Sequence, residues 1–211
     1  MSSPLVIATG NAHKVDEYQM LFPDLSISSM RDFGPMPDVD ENAPDFIGNA
    51  ILKALAGHRH TGQVVLADDS GLSVEVLDGR PGVRSARYVD GTDRDRYEAL
   101  LRELHGLSNR SAWFSCAIAV AGLAPPDELP DGVSWLEGCL VVEGRVDGVI
   151  CTEPRGTNGF GYDPVFELPD GRTAAELSAS EKHAISHRGE AARKIGSLLT
   201  NFFIDGLMTR R

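Results

Sequence analysis

The feature that most constrains this chain is a pair of adjacent carboxylates, Asp68 and Asp69, directly behind the apolar run Val64-Val65-Leu66-Ala67. That run reads as a buried strand, and Ser70-Gly71 behind the acids reads as a turn. Two neighbouring acids cannot both enter a dry core, because an unpaired buried charge is strongly unfavourable. Side chains alternate along a strand, so one acid can face the sheet surface while the other projects at the rim. Open α/β sheets keep their sites at strand ends, and a bound cation there would offset the charge. The same residues also suit a solvated turn in which an Asp side chain guides the backbone.

A chain of 211 residues is long enough for one large domain or two lobes sharing a core. Its net charge of -11 leaves no basic arm or stripe for a nucleic-acid polymer. A local basic cluster could still receive one small anion. No run approaches the length of a membrane span, and Met1-Ser2-Ser3-Pro4 has no basic, apolar leader, so a cytoplasmic protein is expected. The three cysteines, Cys116, Cys139 and Cys151, lack Cys-x-x-Cys spacing and read as reduced, buried thiols rather than a disulfide frame or zinc site.

Periodicity predicts a strand over Leu5–Thr9, a helix over Lys14–Phe22 with Val15, Tyr18 and Leu21–Phe22 inward, and a proline-rich loop over residues 31–44. A second helix is expected over Asp45–His58, weakened by Gly48. Leu72–Leu77 alternates like a strand, Thr92 caps a helix reaching His105, and Trp113–Val120 is β-like. Val133–Cys151 reads as two or more strands joined near Gly144, residues 154–163 as loop, and Gly189–Phe203 as a last helix. This order gives an α/β or α+β architecture around a central sheet.

Three further segments can carry chemistry. Thr9-Gly10-Asn11-Ala12-His13-Lys14 is a strand, a glycine turn and a helix start, an arrangement that turns backbone N–H groups and a helix dipole toward an anion. It lacks both P-loop and Rossmann spacing, and it also suits an ordinary strand-to-helix turn. Asn49 and Lys53, four apart, share a helix face, which a solvated stripe would equally explain. The loop Arg155 to Pro164 sets Phe160, Tyr162 and Asp163 among glycines, as a base-stacking platform or a hairpin with core aromatics. Lys182, His187 and Arg188 form a cation-rich corner in an acidic chain, at what also reads as a plain helix cap.

The order of these segments resembles one family closely. Thr9-Gly10-Asn11-x-x-Lys14, Phe46-x-x-Asn49-Ala50-x-x-Lys53-Ala54, Ala67-Asp68-Asp69-Ser70-Gly71-Leu72 and Pro81-Gly82-Val83-x-Ser85-Ala86-Arg87-Tyr88 match it in the first half. Gly159-Phe160-Gly161-Tyr162-Asp163-Pro164, Ala175-Glu176-Leu177 and Glu181-Lys182-x-x-Ile185-Ser186-His187-Arg188-Gly189 continue the match. Together they resemble the inosine triphosphate pyrophosphatases, also called dITP/XTP pyrophosphatases, over essentially residues 5 to 200.

The resemblance implies a single domain over residues 1–211: an elongated mixed central β-sheet flanked by helices, in two lobes with an active-site cleft between them. It implies hydrolysis of ITP, dITP and XTP between the α and β phosphates, with Mg²⁺ as metal and a homodimer as assembly. Carried over by position, Thr9, Gly10, Asn11, Ala12, His13 and Lys14 would hold the triphosphate, with Asn49 beside them. Asp69 would be the catalytic carboxylate and a metal ligand, with Asp68 and Lys53 supporting the chemistry and Ser70 touching substrate. Phe160, Gly161, Tyr162, Asp163, Lys182, His187 and Arg188 would hold the base. Glu41 or Asp40 would supply the metal ligand in the first loop, Glu41 being favoured by its spacing to Phe46. Gly48 departs from the family pattern, in which an acid often precedes this Asn.

The chemistry of the residues suits that assignment. Lys14, Lys53 and a hard cation answer a triphosphate's charge, and a carboxylate can take a proton from water. Hypoxanthine and xanthine carry a 6-oxo acceptor where adenine carries an amino donor, so donors such as His187 and Arg188 would discriminate between them. Two alternatives stand beside this reading: a Maf-type pyrophosphatase of other nucleotides, and a nucleotide-binding sensor without catalysis.

Overall fold

The computed structural model describes residues 3–35 and 37–205. Among them, β1 (Leu5–Ile7) leads into α1 (Ala12–Leu21) and β2 (Ile27–Ser29), and a long loop reaches α2 (Phe46–Thr61). There follow β3 (Val65–Val74), α3 (Asp93–Glu103), β4 (Ser111–Ala121), β5 (Val133–Leu136), β6 (Cys139–Ile150) and β7 (Phe166–Glu167). The chain closes on α4 (Ala179–Ile185), α5 (His187–Thr200) and a π-helical turn over Asn201–Asp205. The seven strands form one mixed sheet in the order β2-β1-β3-β4-β6-β5, with β7 also on β6. β1 runs parallel to β2 and β3, whereas β6 is antiparallel to β5 and β7. Helices α1 and α2 supply the crossovers that parallel neighbours require.

By packing, the chain falls into two compact units: one takes the residues up to Asp69, Cys116–Gly144 and the residues from Arg188 on, and the other takes Ser70–Ser115 and Arg145–His187. In the first unit both sheet faces are covered. Leu5, Ile7, Leu66, Ile118 and Leu140 pack against Tyr18 and Phe22 of α1 and Ile195 and Leu199 of α5. Their alternates Val6, Val65, Ala67, Ala117, Ala119 and Val141 pack against Ala50, Ile51 and Ala54 of α2. Each large side chain so buried contributes about 1.5–3 kcal/mol, and double-sided burial is why these strands read as unbroken apolar runs. The small residues on the α2 side let that helix lie close. A Cβ on Gly57 would stand 2.5 Å from Met30 Cε. The second unit gathers Leu72, Val74, Leu100, Leu104, Ile150, Tyr162, Val165 and Phe166 into its own core.

Several expectations are corrected. Asp68 to Gly71 is not a turn, because β3 continues through it to Val74 and only then tightens into a 3-10 turn over Glu75–Leu77. Each acid has partners on its own face of the sheet, so the strand has no need to end in water. The β5–β6 connection lies at Glu137-Gly138, both with positive φ, rather than at Gly144, which sits within β6. Two left-handed residues match the twist of a tight hairpin. The last helix begins at His187, and α4 precedes it. Ser178 and Glu181 cap α4 reciprocally, a Ser-x-x-Glu pattern legible in the sequence.

Candidate functional site

Because β3 alternates, Asp68 and Asp69 point to opposite sides of the sheet. Asp69 faces α2. Its Oδ1 accepts from Lys53 Nζ at 3.2 Å and its Oδ2 from Asn49 Nδ2 at 3.0 Å. Asp45 caps α2 by accepting from Gly48 N, which fixes the helix that carries both donors. Asn49 Oδ1 in turn accepts from Ala43 N, and Lys53 Nζ also donates to Glu41 Oε2 at 3.0 Å. One ammonium thus draws Asp69 and Glu41 together. Burial opposes the Lys53 charge, but Asp69, Asp68 and Glu41 outweigh it and raise its pKa, so it remains an ammonium at neutral pH. Asp40 is exposed and accepts from Asn42 Nδ2 instead.

Asp68 faces α1 and α5, 2% exposed. Its Oδ2 accepts from Lys14 Nζ at 2.9 Å and from Arg188 Nη2 and Nε at 2.8 and 3.2 Å. Burial would raise this carboxyl, yet the charges of Lys14, Arg188 and Lys53 hold it well below the usual carboxylate range. Arg188, equally buried, also donates to Glu17 at 2.5 Å. Burial disfavours the guanidinium, and Asp68 beside it more than restores the charge. Cys116 lies 3.7 Å from Asp68, and burial plus that carboxylate push its thiol up to about 12. Among the described residues, the buried Asp68 Oδ1 has no hydrogen-bond partner.

The turn between β1 and α1 places Gly10 and Asn11 at the N-terminus of a ten-residue helix. Thr9 Oγ1 accepts from Asn11 N at 3.1 Å, and Arg31 Nη2 donates to Gly10 O at 2.9 Å, which ties down the turn. Ala12 and His13 open the helix, with their side chains outside the described residues.

The second unit holds the other cluster. Asp163, 4% exposed, accepts from Phe160 N at 2.8 Å and from Lys182 Nζ at 2.5 Å. The same ammonium lies 4.7 Å above the Phe160 ring. Gly159 has a φ of +76°, and a Cβ there would stand 2.1 Å from Asp163 Oδ2, so the loop closes only around glycine. Gly161 N donates to Asp93 and the Tyr162 hydroxyl donates to Ser85 O, while Ser85 Oγ accepts from Leu72 N. His187 stacks on Phe114, with centroids 5.0 Å apart and rings 14° from parallel. Tyr162 and His187 are buried, and Phe160 and Ser70 are half-buried.

The structure therefore brings Asp69, Lys53, Asn49 and Glu41 into one cluster, Asp68, Lys14 and Arg188 into a second, and Phe160, Asp163 and Lys182 into a third. Arg188 donates from two nitrogens to Asp68 and from a third to Glu17. Glu17 and Phe114 were not singled out in the sequence. Glu17 lies three residues beyond Lys14, on the same helical face, and that spacing was the available signal. Phe114 gave none. Gly48 also finds its reason, since a Cβ there would stand 2.6 Å from Ala43 Cβ, in the loop that leads into α2.

A model of the Ham1 family matches residues 5–198. A dITP/XTP pyrophosphatase of Bacillus licheniformis is 46% identical over 202 residues, covering 92% of this chain and 97% of that protein. One from Geobacillus kaustophilus is 47% identical over 198 residues, covering 90% and 91%. Among solved structures, the Staphylococcus aureus Ham1 protein is similar with a TM-score of 0.80 at 36% identity, covering 95% of this chain and 100% of that one. A HAM1 protein from Coxiella burnetii has a TM-score of 0.80 at 40% identity, covering 94% and 98%.

Proposed function

The chain belongs to the Ham1 family, and from that premise we propose that it hydrolyses aberrant purine nucleoside triphosphates (ITP, dITP and XTP) to the monophosphate and pyrophosphate. The observation that carries the reading is Asp69, held by Lys53 and Asn49 with Glu41 on the same ammonium. Each carboxylate oxygen has two acceptor sites, so one hydrogen bond to each leaves capacity for a water proton and a cation.

Mg²⁺ is part of the proposal. It takes one or two carboxylates and fills its remaining positions with substrate phosphates and water, so Asp69 and Glu41 fit it. Asp40, turned to Asn42, is the weaker ligand. When bound, the ion would neutralise charge building on the phosphates.

The chain's own residues do the rest. Asp69 accepts the proton of the attacking water while the water oxygen bonds to phosphorus. The bond between that phosphorus and the bridging oxygen breaks, and pyrophosphate leaves with its electron pair. Lys53 keeps Asp69 oriented and supplies positive charge, and a positioned base of this kind contributes about 10²–10⁴-fold. The Thr9–Lys14 turn offers backbone N–H groups and the positive end of α1 to phosphate oxygens. Lys14 is shared with Asp68, which fixes its ammonium. Phe160 gives a stacking face for the base, and Lys182 and His187 give donors for a 6-oxo group. Arg188 acts in this account through Asp68.

The reading includes a homodimer in the cytoplasm. No helix among the described residues is long and apolar enough to cross a membrane. The test is pyrophosphate release across dITP, XTP, ATP, GTP and TTP with Mg²⁺. Turnover concentrated on dITP and XTP supports the proposal, and preference for TTP overturns it.

A further inference from the structure

We propose that Phe114 is a positioning residue for base selection, acting through His187. The inference rests on the reading of the second unit's cluster as the base-binding part. Phe114 sits on β4, half-buried, with Phe166 tilted against it at 4.6 Å and the His187 imidazole stacked on it at 5.0 Å. Phe166 is 1% exposed, so Phe114 rests on a side chain of the second unit's core.

A nearly parallel stack constrains an imidazole in a particular way. It fixes the plane of the ring, and both ring nitrogens direct their hydrogen bonds within that plane. His187 is the first residue of α5, directly after the junction with α4. Phe114, Asp163, Lys182 and His187 line one small cavity of the second unit. The stack therefore sets the direction in which the imidazole meets the edge of a ligand beside Asp163 and Lys182. An aliphatic residue of similar volume would fill the space without offering a ring face to the imidazole.

A double-mutant cycle tests this. KM and kcat are measured for dITP and dATP with wild type, Phe114→Leu, Phe114→Tyr, His187→Ala and the Phe114→Leu/His187→Ala pair. Phe114→Met stands in if the Leu variant does not fold. Loss of the stack lowers the preference for dITP, read as the ratio of KM values, by roughly two- to ten-fold, with kcat for dITP little changed. Phe114→Tyr, which keeps the ring, restores the preference. In the His187→Ala background Phe114→Leu has no further effect on the ratio. An unchanged ratio in Phe114→Leu, or an equal effect with and without His187, overturns the inference while leaving the function intact. Wild-type protein that shows no preference for dITP overturns the function and the inference with it.

Discussion

Replacing Arg188 with Met removes the guanidinium that holds Asp68 and leaves a carboxylate that is 2% exposed. Two hydrogen bonds to Asp68, at 2.8 and 3.2 Å, and one to Glu17 are lost together. Breaking a buried ion pair from one side costs about 3–5 kcal/mol, because the remaining charge stays desolvated. Lys14 still holds Asp68 at 2.9 Å, and Glu17 can turn toward solvent, so the lower end, about 3 kcal/mol, applies here. For a protein of this size that is a fall of roughly 6–12 °C in Tm. The assay is urea unfolding of wild type, Arg188→Met and the Asp68→Leu/Arg188→Met pair, at several pH values. The pair removes both charges and should recover at least half of the loss. The sign of the pH dependence follows from Asp68. Its folded pKa is depressed, so its contribution is present above the ordinary value of 3.8 and is lost as pH falls toward the folded value. The Arg188→Met penalty should therefore be full at neutral pH and shrink below about pH 3.8. A penalty under about 1 kcal/mol at pH 7, or a pair less stable than the single variant, would refute the assignment of Arg188 to the support of Asp68.

Three further outcomes are expected. Gly48→Ala should lower stability despite the better helix former, because its Cβ would meet Ala43 Cβ at 2.6 Å; a rise in urea midpoint would contradict that packing. A water-soluble thiol reagent at pH 8 should modify Cys151 alone in the native protein and all three cysteines after unfolding, since Cys116 and Cys139 are buried and Cys151 is only half-buried. Rapid native labelling of Cys116 would contradict the closed surroundings of Asp68. Chelation of divalent cations should abolish turnover, with recovery on adding Mg²⁺. Full activity in chelator would remove the cation from the account.

Much of the fold was legible where physics is local. The inward face of α1 followed from helical spacing, and the first strand from its apolar run, because burial imposes those periods directly. What escaped depends on partners distant in the chain. Asp68-Asp69 read as a strand end because no local rule says that Arg188 and Lys53 will arrive to hold them. The ties of Arg188 to Asp68 and Glu17 were hidden for the same reason, since exposure and burial look alike in a basic run. Gly144 read as a turn, although Glu137-Gly138 had the chemistry of one. The candidate site divided in the same way. Asn49 and Lys53 were legible as one helix face, whereas the Phe114–His187 stack joins residues 73 positions apart and leaves no trace in spacing.

The central claim is that Asp69 drives hydrolysis of a 6-oxo purine triphosphate to monophosphate and pyrophosphate. It is tested most directly by identifying the products formed from dITP with Mg²⁺ by wild type and Asp69→Asn. The account predicts dIMP and pyrophosphate from wild type and a loss of about 10²–10⁴-fold in Asp69→Asn, with the variant still unfolding cooperatively. Near wild-type rates in Asp69→Asn, or orthophosphate with dIDP as the products, would contradict it.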